Sequence, residues 1–281
     1  SQTLIAVPLF VFMGVLLEKT KIAENLLTNL SELLGHFRGG LAITVVLVGM
    51  LMAASTGIVG ATVVTMGMMS LPIMLQRGYQ PSLATGTIAA TGTLGQIIPP
   101  SIALVLLGDV LSNAYQQAQL NMGIFAPKSV SVGDLFAGSL IPGLLLVVLY
   151  LLYLILRAVF TPAAMPERPK TKAVALPSIL SALLPPLLLI IAVLGSIIAG
   201  YATPTEAAGV GAMGALILAA AYGRLTVDTL RATCAASMST TAMVFFILIG
   251  ASIFSLVFRG FGGDEIVQST FNNMPGGMWG A

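Results

Sequence analysis

Seven stretches of the chain, 1–17, 39–76, 78–108, 135–156, 173–205, 207–223 and 232–258, contain no Asp, Glu, Lys or Arg. A helix needs about 20 apolar residues to cross a bilayer, so runs of this length leave few alternatives. Charged residues make up 8% of the chain and apolar ones 57%, whereas an average soluble domain is about 25% charged. A water-soluble chain of 281 residues could not cover its surface with so few charges. The bilayer must be the solvent for most of it.

Several function classes drop out. A net charge of +2 is too small to indicate nucleic acid. Cys234 is alone, which excludes an internal disulfide, and one His with one Cys cannot build the usual zinc or haem site. An intramembrane serine protease needs a serine and a histidine meeting within the membrane. The single His36 sits beside Arg38 at the interface, so an enzyme is not expected. Ser1 is not a start methionine and residues 4–17 already read as membrane helix. The expectation is a fragment beginning inside a longer protein.

The linker Thr161–Lys172, with three prolines and Arg168, Lys170 and Lys172, belongs in the cytoplasm by the positive-inside rule. It orients the rest. Residues 1–38 form a transmembrane helix followed by an amphipathic interfacial arm, in which Ile22, Leu26, Leu27, Leu30, Leu33 and Leu34 recur at helical spacing among charges. Segment 77–108 rises from the cytoplasm, 109–134 is a periplasmic loop with Asp109 as its boundary charge, and 135–160 descends. From residue 173 the chain rises, descends and rises again, and Trp279 reads as an interfacial anchor.

Residues 39–76 are too long for one straight span, carry Arg38 and Arg77 at their two ends, and have a small, polar, glycine-rich middle at Ala53–Thr62. A re-entrant hairpin opening to the cytoplasm fits this pattern. Two complete spans would also fit the length, but would put Arg77 in the periplasm. Irregular backbone at mid-membrane depth is tolerated only where it is buried in protein or lines a cavity. The second break lies at Ala90–Ser101, where two glycines precede Pro99-Pro100. The double proline favours an unwound, discontinuous helix over a mere kink.

Two such breaks meeting at the midplane make an ion site. Half-helix C-termini carry partial negative charge and unwound carbonyls point inward. The candidate Na⁺ ligands are Ser55, Thr56, Gly57, Gly60, Thr62, Thr91, Gly92, Thr93 and Gly95, with Thr62, Gln96, Pro99, Pro100 and Ser101 near a substrate. No carboxylate lies in either segment, which argues against a proton relay. For each hydroxyl alone, helix packing or bonding back to the helix is the plainer role. Glu206 follows Thr203-Pro204-Thr205, so a helix-capping role stands beside a direct role in transport. Residues 8–30 and 245–274 share one plan, an apolar helix followed by a polar arm, and lie on opposite faces in this topology. That is the mark of inverted repeats.

HFRGGLA at 36–42, STGIVGATVVTMGMMSLPIMLQRGY at 55–79, ATGTIAATGTLGQIIPPSIALVLLGD at 84–109 and PTEAAGVGAMGALILA at 204–219 resemble the large membrane subunits of tripartite ATP-independent periplasmic (TRAP) transporters, in wording the branch labelled mannitol/chloroaromatic. The resemblance implies an all-α polytopic membrane protein of inverted-repeat, elevator type, with a re-entrant helical hairpin, a discontinuous helix and a second repeat, 173–281, that is truncated. It implies sodium-coupled uptake of an organic acid across the bacterial inner membrane. It also implies two partners, a small membrane subunit and a periplasmic substrate-binding protein. Where the family's tip often reads Ser-Gly-Ser, this chain has Thr56-Gly57-Ile58, and where many relatives have an acid it has Thr62.

Overall fold

The computed structural model describes residues 2–20, 22–34, 37–57, 59–165 and 176–273. His36, Trp279 and the basic cluster Arg168, Lys170 and Lys172 fall outside them. Among the described residues there are eleven α-helices, a few 3-10 turns and no strand. The chain divides into two compact units, Ser1–Ser237 and Met238–Ala281.

The first unit opens with α1 (Ala6–Lys19) and α2 (Ile22–Leu33), then a helical pair α3 (Gly40–Thr56) and α4 (Val59–Gln76). Next come α5 (Pro81–Thr93) with a 3-10 turn at Leu94–Gln96, α6 (Ile102–Asn121) and α7 (Val132–Phe160). It closes with α8 (Leu176–Ile198), α9 (Pro204–Ala221) and the first part of α10 (Val227–Gly260). Among the described residues three helices, α7, α9 and α10, are long and apolar enough to cross a membrane, while Gly40–Ala53, Thr62–Gln76 and Leu183–Ile198 are shorter apolar helices. The chain is a helical multi-pass membrane protein.

Segment 39–76 is a helix-turn-helix. Gly57 ends α3 in the left-handed region at φ +61°, and its N–H donates to Ala53 O at 3.2 Å. Only a glycine takes that conformation without strain. The foot of α3 meets the end of α7, and the start of α5 meets the 3-10 turn that follows it. A Cβ placed on Gly39 would lie 3.6 Å from the Ala158 Cβ, and Gln80 N donates to Ala164 O at 3.1 Å. Between the feet, Tyr79 is buried, its hydroxyl bonded to the Ala42 and Leu41 backbone.

Helix α7 runs antiparallel along the whole path from α6 back to α5. Val132 packs at Gly108, Gly143 faces Ile97 and Ile98, and Arg157 reaches Gln80. At 1.5 Å per residue the break lies about 16 Å from the start of α7 and about 26 Å from its end. The hairpin tip therefore stops part-way along this traverse, and α6 carries on past it.

The loop expected at 109–134 is shorter. α6 continues to Asn121, so Asp109 lies inside a helix and only 122–131 are irregular. The Gln119 side chain explains the arrangement. It donates to Lys128 O at 2.9 Å and accepts from Lys128 N at 3.0 Å, which staples the loop back onto the helix. Ser131 and Asp134 then form a capping box that starts α7.

The core of the first unit is built around α1, whose Val7, Val11, Met13 and Leu16 are fully buried. It packs chiefly on α9 and α3. Gly211 of α9 lets Met13 Sδ approach and Gly214 admits Leu189 of α8, so small residues set the helix spacing. In the second unit α10 ends at Gly260. Gly262, at φ +73°, turns the chain into the short polar α11 (Gly263–Asn272). There an exposed ion pair, Arg259 to Asp264 at 3.5 Å, spans the turn.

Candidate functional site

The hairpin tip meets the break between α5 and α6. A Cβ on Gly57 would lie 3.4 Å from Ile102 N and 3.5 Å from Pro100 O. One on Gly95 would lie 3.5 Å from both Ala53 Cα and Ala53 O. The approach is backbone to backbone, which is why glycine stands on each side of it.

The break is itself ordered. The chain turns at Leu94, whose carbonyl accepts from both Ile97 N (3.0 Å) and Ile98 N (2.8 Å). Pro99 and Pro100, joined by a cis bond, are buried, and Ser101 bridges the gap. Its hydroxyl donates to Gln96 O at 2.8 Å and accepts from Leu104 N at 3.4 Å, capping α6. Four helix ends converge here. α3 and the α5 turn bring their C-termini, and α4 and α6 bring their N-termini.

Among the residues singled out from sequence, Ser55 and Thr56 close α3, Gly57 is the turn, and Gly95 and Pro99–Ser101 lie against it. Thr62 is fully buried in the first turns of α4. Gln96 is exposed at the surface of the break. Thr91, Thr93 and Gly60 face elsewhere. Thr91 is buried, donates to Thr87 O at 2.6 Å, and packs its methyl against Gly49 of α3. Thr93 is exposed and donates to Ala90 O at 2.7 Å. Gly60 is exposed with open space beside it. Gly92 lets Val63 of α4 close onto α5.

A carboxylate does approach the hairpin, and it comes from α1. Glu18 Oε1 accepts a hydrogen bond from Thr65 Oγ1, one helical turn past Thr62. Nothing in the sequence marks this pair, which is 47 residues apart.

Glu206 is a cap. Its carboxylate accepts from Thr203 N and Thr203 Oγ1, both at 2.8 Å, while Thr203 Oγ1 accepts from Glu206 N at 3.3 Å. This reciprocal box starts α9. Thr203→Ala is expected to lower the thermal unfolding midpoint in detergent without changing the substrate KM of the full-length protein. A changed KM would return Glu206 and its neighbours to the transport site. Nearby, Asp109, Ser112, Asn113, Ser131, Thr203 and Glu206 line a polar cleft of about 490 Å³.

The family model described as "Tripartite ATP-independent periplasmic transporter, DctM component" matches residues 1–281. The "C4-dicarboxylate TRAP transporter large permease protein DctM" of Pseudomonas aeruginosa is 34% identical over 258 residues, which are 91% of this chain and 56% of that protein. The one from Rhodobacter capsulatus is 31% identical over 263 residues, 90% of this chain and 57% of that protein. The "Sialic acid TRAP transporter large permease protein SiaM" of Vibrio cholerae is 30% identical over 260 residues, 91% of this chain and 56% of that protein. The chain thus spans a little over half the length of these relatives. All three are named as permease proteins, not enzymes.

Proposed function

The chain belongs to the DctM component family of tripartite ATP-independent periplasmic transporters, and on that premise we propose that it is part of the large permease subunit of a sodium-coupled importer of organic acids. The observation that carries this reading is the meeting of the α3–α4 tip with the α5–α6 break. The two C-termini present carbonyls and partial negative charge, which suit a small hard cation. The two N-termini present N–H groups and partial positive charge, which suit a carboxylate.

Na⁺ is assigned to the carbonyl side, at Ser55, Thr56, Gly57, Gly92 and Gly95, with the Thr62 hydroxyl. The substrate carboxylate is assigned to the side of Thr62, Gln96, Pro99, Pro100 and Ser101. The hydroxyls of Thr91 and Thr93 already serve their own helix, so any part they play comes through backbone oxygen. The relatives are named for C4-dicarboxylate and sialic acid, which supports an organic acid without choosing one.

The whole protein sits in the bacterial inner membrane, beside a small membrane subunit, and receives substrate from a periplasmic binding protein at the face where the polar cleft opens. The plan shared by α1–α2 and α10–α11 supports an inverted pair.

The test is uptake into proteoliposomes holding the full-length permease, the small subunit and the binding protein. An imposed inward Na⁺ gradient should drive accumulation of an organic acid, and the isolated chain should show none. Accumulation without the binding protein would favour a self-sufficient anion carrier. Accumulation indifferent to Na⁺ would remove the coupling ion.

A further inference from the structure

At the end of α7 an arginine keeps an unmet donor, and an apolar groove opens beside it. Arg157 lies in the last turn of α7. Its Nε–H is buried without a hydrogen-bond partner, and a terminal nitrogen reaches Gln80 Oε1 only at 3.5 Å. A buried donor left without an acceptor is costly and calls for one. The planar guanidinium matches a phosphate better than a point charge does.

The surroundings add positive potential. α5 starts at this place with no side-chain cap on its first turn and with Pro81 as its first residue, so its N-terminus favours an anion. Arg38 and Arg77 stand at the two feet of the hairpin, at the same end of the molecule.

One turn deeper, Tyr150, Tyr153 and Leu154 of α7 face Leu83, Gly86 and Ala90 of α5 across a groove of about 100 Å³. Its outer edge is open at Tyr153, which is 53% exposed. The outward side chains around it on α7, Leu149, Leu152 and Leu156, are apolar and exposed, as expected of a surface that faces hydrocarbon. A free phosphate would satisfy the arginine and leave the groove empty. A neutral lipid would fill the groove and leave the arginine unmet. An amphiphile with a phosphate head satisfies both.

We propose that this corner binds one anionic phospholipid of the surrounding bilayer, its phosphate on Arg157 and the α5 N-terminus and one acyl chain between α5 and α7. Basic pockets between membrane helices on the cytoplasmic side are suited to such headgroups. The bound lipid would tie α7 to the foot of the hairpin.

Native mass spectrometry of the full-length permease, incubated with phosphatidylglycerol or phosphatidylcholine vesicles and taken into mild detergent, tests this. The unaltered protein should retain phosphatidylglycerol in preference. Arg157→Gln should cut that retention about tenfold, in line with one charged hydrogen-bonding partner, and leave phosphatidylcholine as it was. Gly86→Trp should reduce both lipids, because a Cβ at Gly86 meets nothing within 4 Å and the ring can fill the groove. Each variant is first checked for a monodisperse elution profile, and the two lesions act through different chemistry, so one that fails to fold leaves the other decisive. Equal retention of the two lipids would overturn the proposal, as would an unchanged Arg157→Gln protein. Displacement of the lipid by inorganic phosphate alone would show that the anion, not the amphiphile, is the ligand. Lipid retention is read without transport, so this result stands or falls independently of the coupling ion.

Discussion

Gly92→Val should unseat the hairpin from α5 and abolish transport by the full-length protein. A Cβ at this position would fall 2.2 Å from Val63 Cγ2 and 3.2 Å from Val63 Cα. The side chain of Val63 is stiff at χ1, and its backbone has no rotamer to change. Overpacking of this kind costs about 1–3 kcal/mol, and the two further methyls raise the figure. Removing a glycine from a helix returns at most about 1 kcal/mol. The residue sits one turn from Gly95, so the displacement passes directly to the contact with Ala53. The unfolding midpoint in detergent should fall and substrate uptake should be lost with it.

A second pair makes the cause separable. Gly49→Ala puts a Cβ 2.0 Å from Thr91 Cγ2. Thr91→Ser in the same chain removes that methyl and keeps the hydroxyl on Thr87 O, and should recover most of the lost stability. A Gly92→Val protein as stable and active as its parent would mean that α4 and α5 do not pack in this way.

The main breaks were legible because they are written in residues with few other uses. Pro99-Pro100 cannot continue a helix, and Gly57 lies between two apolar arms that both end in arginine. The convergence of the two breaks followed from the expectation that irregular backbone at that depth needs protein around it. What stayed hidden depends on which face of one helix touches another. Thr91 read as a ligand because its hydroxyl was visible in the sequence, while its methyl contact with Gly49 was not. The link from Glu18 to Thr65 joins segments whose charge patterns are read separately. The reach of α6 to Asn121 is hidden for another reason. Asp109 reads as a boundary charge, yet a polar helix persists past it when its side chains, as at Gln119, bind the returning chain.

If a cation rests on peptide oxygens at the tip, Thr62→Val should raise the Na⁺ concentration for half-maximal uptake about tenfold, because an oxygen partner of a charge contributes about 1.5–3 kcal/mol and 1.4 kcal/mol is a factor of ten. Thr62 is fully buried, and valine keeps its volume while replacing the hydroxyl by a methyl, so what is lost is polar contact rather than packed volume. Thr93→Val is the control, since that hydroxyl is exposed and bound to Ala90 O, and its Na⁺ dependence should match the parent. The decisive comparison is with Glu18→Gln. That substitution keeps an acceptor for Thr65 Oγ1 but removes the carboxylate that touches the hairpin from α1. A carbonyl cage predicts that Glu18→Gln still couples to Na⁺ with an affinity close to the parent's. Should Glu18→Gln lose coupling while Thr62→Val keeps it, the ion is held one turn lower, by a side-chain charge from α1, and the meeting of helix ends serves the substrate alone.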